Sequence, residues 1–235
     1  MSYAYQPDYR APAVANLAVQ ARAQFIMRTY GHLLAAVLGF TAIEVYLFTS
    51  GLALPIAQAL LGVNWLFVLG GFVLAGWLFR SLAHSARSKS TQYIGLAAFV
   101  AVEAIIFVPL LVAAQMFAPG TIQSAALVTL MGFVGLTAVV FTTRKDFSFL
   151  ASILRWGGIL ALVTIVAGVI FGFQLGTFFS VAMVGLAGAS ILHDTSNVLH
   201  HYPEDSHVAA ALELFASVAL MFWYVLQLFM SSRRD

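Results

Sequence analysis

Two carboxylates and a hydroxyl, Asp194, Glu213 and Ser217, lie near the end of a chain that is otherwise mostly apolar. Four of the six histidines (His193, His200, His201 and His207) fall in the same stretch. Asp194 sits at the end of one apolar run, and Glu213 lies about a turn and a half into the next. Ser217 is one turn deeper, on the same face, because residues four apart share a helix face. Arg80 closes a much earlier apolar run. An acid pair with a cation within reach makes a proton-sensitive latch, since neighbouring charges couple each other's titration. The oxygens of Asp194 and Glu213 are also hard ligands suited to Ca²⁺. The plainer alternative is that these acids end their helices and meet interfacial water. The histidines read first as a solvated hinge and second as pH-tuning groups, with His193, His200 and His201 nearest the latch. Zn²⁺ is disfavoured there because their spacing matches no metal motif.

These residues need an unusual scaffold to hold them. The chain has 235 residues, of which 62% are hydrophobic and 9% charged. A soluble domain carries about 25% charged residues. The apolar residues come in continuous runs of roughly 20, the length that crosses about 30 Å of hydrocarbon. The reading is an all-α integral membrane protein; a barrel would alternate instead. Seven spans are expected, near residues 30–49, 59–79, 93–114, 124–142, 150–173, 177–197 and 208–230. Residues 1–24 read as a flexible arm and residues 232–235 as a tail, with the bundle occupying 25–231. The glycines Gly70, Gly71, Gly132, Gly135, Gly157, Gly158, Gly185 and Gly188 suit close helix packing. Inside such a bundle Glu103 and Glu44 are costly, which marks each as functional or as a hydrogen-bonded structural acid. Glu44 could also reach the outer interface.

Nine basic residues fall on one side: Arg10, Arg22 and Arg28 before span one, Arg80, Arg87 and Lys89 after span two, and Arg144, Lys145 and Arg155 after span four. The connections after spans one, three and five carry none. The positive-inside rule then puts the N-terminus in the cytoplasm and, after seven spans, the C-terminus outside. Arg233 and Arg234 pull the other way, and a shallow re-entrant last segment would satisfy them.

Several functions are disfavoured. There is no cysteine, so disulfides and thiolate chemistry are excluded. No HExxH or GxSxG motif is present. The two lysines, Lys89 and Lys145, lie in loops, and Ser217 has no histidine near it on its own helix. The expectation is a protein that is not an enzyme, binds no nucleic acid, carries no cofactor beyond Ca²⁺ as a bound or transported ion, and works as a monomer in a lipid bilayer.

The stretches FIMRTYGHLLAAVLGFTA, EAIIFVPLL, FTTRKDFSFL, ILHDTSNVLHHY and VAAALELFASVALMFWYVLQLF, in that order across residues 25–230, resemble the Bax inhibitor-1 family. The resemblance is closest to its bacterial branch, which is linked to modulation of a membrane-anchored AAA protease. It implies a seven-helix bundle with the last helix central, within a ring of six, in a bacterial inner membrane. It also implies a pH-responsive pair of aspartates, with an arginine engaging the first, whose state is associated with Ca²⁺ leak. Asp194 and Arg80 match two of those positions. The second aspartate is replaced: where the family reads like LYLD, this chain has Leu214, Phe215, Ala216 and Ser217. Two arrangements could compensate. Glu213 could supply the missing acid, or Asp194 and Arg80 could form an ion pair with Ser217 as a hydrogen-bond partner.

Overall fold

The structure is a computed structural model that describes residues 12–85 and 88–232. Eight α-helices follow one another: α1 (Val19–Thr49), α2 (Ala53–Leu61), α3 (Trp65–Ala83), α4 (Lys89–Phe117), α5 (Thr121–Thr143), α6 (Leu150–Phe171), α7 (Thr177–His200) and α8 (His207–Ser231). All but α2 are long and apolar enough to span a membrane. The protein is therefore an all-α integral membrane protein, and no strand occurs among the described residues. α8 has 25 residues and reaches about 37 Å at 1.5 Å per residue, more than the hydrocarbon core requires.

One expected span is divided. The run near 59–79 is broken at Gly62–Asn64, so that α2 ends and α3 begins there. Asn64 caps the new helix by accepting the Leu66 amide at 2.9 Å. Hydropathy alone misses this turn because apolar residues continue across it. Pro55 lies in the first turn of α2, where its missing N–H costs nothing.

α8 is the most deeply buried of the long helices and packs against α1, α3, α4, α5 and α7. α6 lies further out, against α7 and α3. An aromatic stack fixes the middle of the bundle. The Phe107 ring of α4 meets Phe40 of α1 at 5.1 Å and Trp223 of α8 at 4.9 Å, both edge-on.

The expected arm over 1–24 is in part docked. Residues 1–11 lie outside the described residues. The Val14 amide donates to the Tyr202 carbonyl at 2.9 Å, Ala13 pairs with Pro203, and the Val14 side chain is fully buried. Arg22, in the first turn of α1, donates to the Leu199 carbonyl at 3.1 Å. An apolar residue at position 14 finds a place beneath the α7–α8 turn, so this segment closes that end of the bundle.

Candidate functional site

The ends of α3 and α7 and the start of α8 meet at one end of the bundle, above the docked segment. Arg80 comes from the last turn of α3, Asp194 from the late part of α7, and Glu213 and Ser217 from successive turns of α8. Arg80 reaches Glu213 because α3 is held close to α4 at Gly95. A Cβ added there would lie 2.7 Å from both the Phe79 carbonyl and the Ala83 amide. The guanidinium is further supported by the Phe99 ring, 5.6 Å from its centroid.

The polar contacts divide into two layers one turn apart. In the lower layer Arg80 Nη1 donates to Glu213 Oε2 at 2.5 Å, with His84 Nε2 3.9 Å from the other oxygen. In the upper layer the Ser217 hydroxyl donates to Asp194 Oδ2 at 2.5 Å. Of the two arrangements that could compensate, the Arg80–Asp194 ion pair does not form: the arginine is taken by Glu213, whose carboxylate projects one turn nearer the helix ends. Glu213 and Ser217 thus each stand in for part of a role. The glutamate receives the cation, and the serine holds the α7 carboxyl. The Glu213 side chain is 17% exposed and that of Arg80 is 45% exposed, so the ion pair sits between the protein interior and the interface.

Tyr202, in the α7–α8 turn, belongs to the same cluster and was not among the residues expected there. Burial pushes its phenol well above the usual range, and the nearby Glu213 and Asp194 carboxylates add to the shift while Arg80 opposes it. The sequence signal was faint: a single aromatic after two histidines, four residues short of the last helix.

The other sequence candidates are distributed differently. Glu103 is buried on α4, within electrostatic reach of Arg80. Glu44 is buried on α1, one turn beyond Phe40, and neither carboxyl oxygen has a hydrogen-bond partner. It does not reach the outer interface. His193 and His201 hold the α5–α6 connection against α7. Asn197 Nδ2 donates to His193 Nε2 at 3.0 Å, which leaves Nδ1 to donate to the Phe147 carbonyl at 3.3 Å. His201 Nε2 pairs with Asp146 at 2.9 Å. The Ser148 amide, and then His201, hold the Asp146 carboxyl at about 2, below its ordinary 3.8. The buried Nε2 of His200 has no partner.

The donor set does not make a resident metal cage. Among the described residues no three of His, Asp and Glu converge on one point, and Glu213 is already neutralised by Arg80. Calcium requires six to eight oxygens.

This geometry defines a class: a seven-span helical membrane protein with an ionisable cluster enclosed around its central helix. The chain matches the family described as Inhibitor of apoptosis-promoting Bax1 over residues 22–234. It belongs to that family, the Bax inhibitor-1 family. The modulator of FtsH protease YccA of Escherichia coli is 29% identical over 156 residues, covering 66% of this chain and 71% of that protein. Bax inhibitor 1 of Schizosaccharomyces pombe is 31% identical over 172 residues, covering 70% of this chain and 61% of that protein. An uncharacterised protein of Pseudomonas aeruginosa is 35% identical over 111 residues, 46% of this chain and about half (49%) of its own length.

Proposed function

We propose that the protein is a proton-gated cation leak with Ca²⁺ as its cargo, closed by the two-layer cluster at the start of α8. The observation that carries this reading is the Arg80–Glu213 ion pair stacked one turn from the Ser217–Asp194 hydrogen bond. The lower layer ties α3 to the central helix, and the upper layer ties α7 to it. Protonating Glu213 exchanges an ion pair for a neutral acid and frees Arg80, which is exposed enough to remain hydrated at the interface. α3 can then move relative to α8 and admit water. Beyond the opening, Asp194, Glu103 and the unpartnered Glu44 supply carboxylate oxygens through the apolar interior, the chemistry a dehydrating Ca²⁺ needs. On this reading the protein sits in a bacterial inner membrane with its N-terminus in the cytoplasm and its C-terminus outside.

The test is Ca²⁺ flux in proteoliposomes as pH is lowered from about 8 to about 4, towards the ordinary range of a glutamate carboxyl. Flux rises as pH falls. Glu213→Gln raises flux at the alkaline end and flattens the profile. A variant whose pH profile matches the parent chain would sink the gate.

A second reading draws on the relative named as a modulator of FtsH protease. Here the protein binds a membrane-anchored AAA protease and modulates it, and residues 1–12 are the handle. Val14 is buried under the α7–α8 turn, so pulling on the handle meets resistance after a dozen residues. Removing residues 1–12 abolishes co-purification with the protease and leaves ion flux unchanged. Retained co-purification would exclude the handle.

A further inference from the structure

A second polar group lies where α1, the start of α4 and the start of α8 meet, and the gate makes no use of it. His32 of α1 accepts the Tyr93 hydroxyl of α4 at Nε2, 3.1 Å away, while its Nδ1–H donates to the Arg28 carbonyl at 2.6 Å. The His207 ring of α8 lies 5.1 Å from that of His32. His207 is only 6% exposed, and its buried Nδ1 has no partner. Arg28 and Lys89 are exposed and lie within electrostatic reach of His207. The negative group facing them is Asp205, whose backbone carbonyl takes the Lys89 ammonium and whose carboxylate takes the Ser206 hydroxyl. Among the described residues neither Arg28 nor Lys89 has a carboxylate within ion-pair distance. Two cations and two imidazoles thus face one carboxylate.

The depth of this corner identifies the ligand. Lys89 and His207 are the first residues of their helices, so the group sits where two spans begin, at headgroup level. Short side chains continue from it towards the middle of the membrane. Ala35 and Gly39 follow His32 on one face of α1, and Ala97 and Ala101 follow Tyr93 on one face of α4. Ala35 and Ala97 are exposed, and a Cβ at Gly39 would touch Val100 of α4 at 3.9 Å. A run of small side chains on α1 and α4 therefore leads away from a cationic corner, the setting in which basic pockets between spans take acidic lipids.

We propose that this corner binds the phosphate headgroup of an anionic phospholipid, with Arg28 and Lys89 supplying the charge and Tyr93 the directed hydrogen bond. The Tyr93 hydroxyl turns from His32 to a phosphate oxygen, and the His32 ring stays packed beside it. The acyl chain lies along Ala35, Gly39 and Ala97.

The test is native mass spectrometry of the full chain from micelles doped equally with phosphatidylglycerol and phosphatidylcholine of identical chains. Phosphatidylglycerol is retained about thirtyfold over phosphatidylcholine, the scale expected when two cations face the headgroup. The double variant R28A/K89A loses that preference, Lys89→Arg keeps it, and Arg155→Ala, basic but elsewhere on the bundle, leaves it intact. Equal retention of both lipids, or an equal loss in Arg155→Ala, overturns the site. Displacement of the lipid by about 10 mM inorganic phosphate, far above what an acyl-anchored headgroup should yield to, also overturns it in favour of a small-anion site. Should the double variant fail to fold, the His32 ring resonances of the unaltered chain decide: they shift with phosphatidylglycerol and not with phosphatidylcholine, and the absence of that difference refutes the proposal.

Discussion

Ser217 gives the upper layer its character. A serine can donate one hydrogen bond to Asp194, but it cannot share a proton with it. The upper layer therefore has one titrating carboxyl where the family resemblance suggests two. Ser217→Ala leaves Asp194 Oδ2 without its partner in the bundle and costs about 1–3 kcal/mol, read as a lower melting temperature in detergent. Ser217→Asp instead sets a second carboxyl against Asp194, and the coupled pair adds a further step to the flux profile set by Glu213. A single transition at the parent midpoint would mean that residue 217 does not face the proton-binding site. The ion pair below contributes less to stability, because Arg80 is 45% exposed and solvent screens it.

At the scale of elements, the α3–α4 crossing governs whether Arg80 can reach its partner. Gly95 is the close contact there, yet nothing in the local sequence separates it from the other glycines of the spans. Of the glycines that looked suited to packing, Gly132, Gly157 and Gly188 do meet neighbouring side chains, whereas Gly70, Gly71, Gly135, Gly158 and Gly185 face open space. Gly95→Ala puts a methyl against two backbone atoms of α3, which cannot yield as a flexible side chain would. The helices separate, Arg80 withdraws from Glu213, and flux at alkaline pH rises towards that of Glu213→Gln. Gly157→Ala meets only the end of Leu186 and leaves flux unchanged. Equal flux profiles for Gly95→Ala and the parent chain would show that α3 tolerates the methyl without moving the latch.

Across the whole molecule, the proposed gate lies apart from a second titrating place. The α5–α6 connection is fastened to α7 through Asp146, His193, Ser196 and His201. Because the Asp146 carboxyl is held below its ordinary value, its contribution is complete above about pH 4. It is lost as pH falls from the ordinary 3.8 towards about 2. This fastening is thus constant, so far as Asp146 is concerned, over the range in which the gate is tested. Asp146→Asn speeds hydrogen exchange at the Ser148 amide, which donates to that carboxylate at 2.8 Å, and leaves the pH profile of flux as it was. A flattened profile in that variant would move the sensor from α8 to this connection.

The sequence by itself determined the class of protein, the number of spans and the residues that could not be ordinary core. Those properties follow from hydropathy and charge, which are local: a run of about 20 apolar residues must leave water, and a carboxyl within it must have a reason. The order of the motifs likewise carried the family. Tertiary structure decided which partner each polar group takes. Spacing put Glu213 and Ser217 on one face of α8 but could not say that the arginine would stop at the nearer acid, because that depends on how closely α3 approaches α4. It also could not show that Val14 would be buried under Tyr202, since one apolar residue in a polar arm has no periodic signature. The polar cluster was legible as a set of residues, and its pairing was settled by packing between helices far apart in the chain.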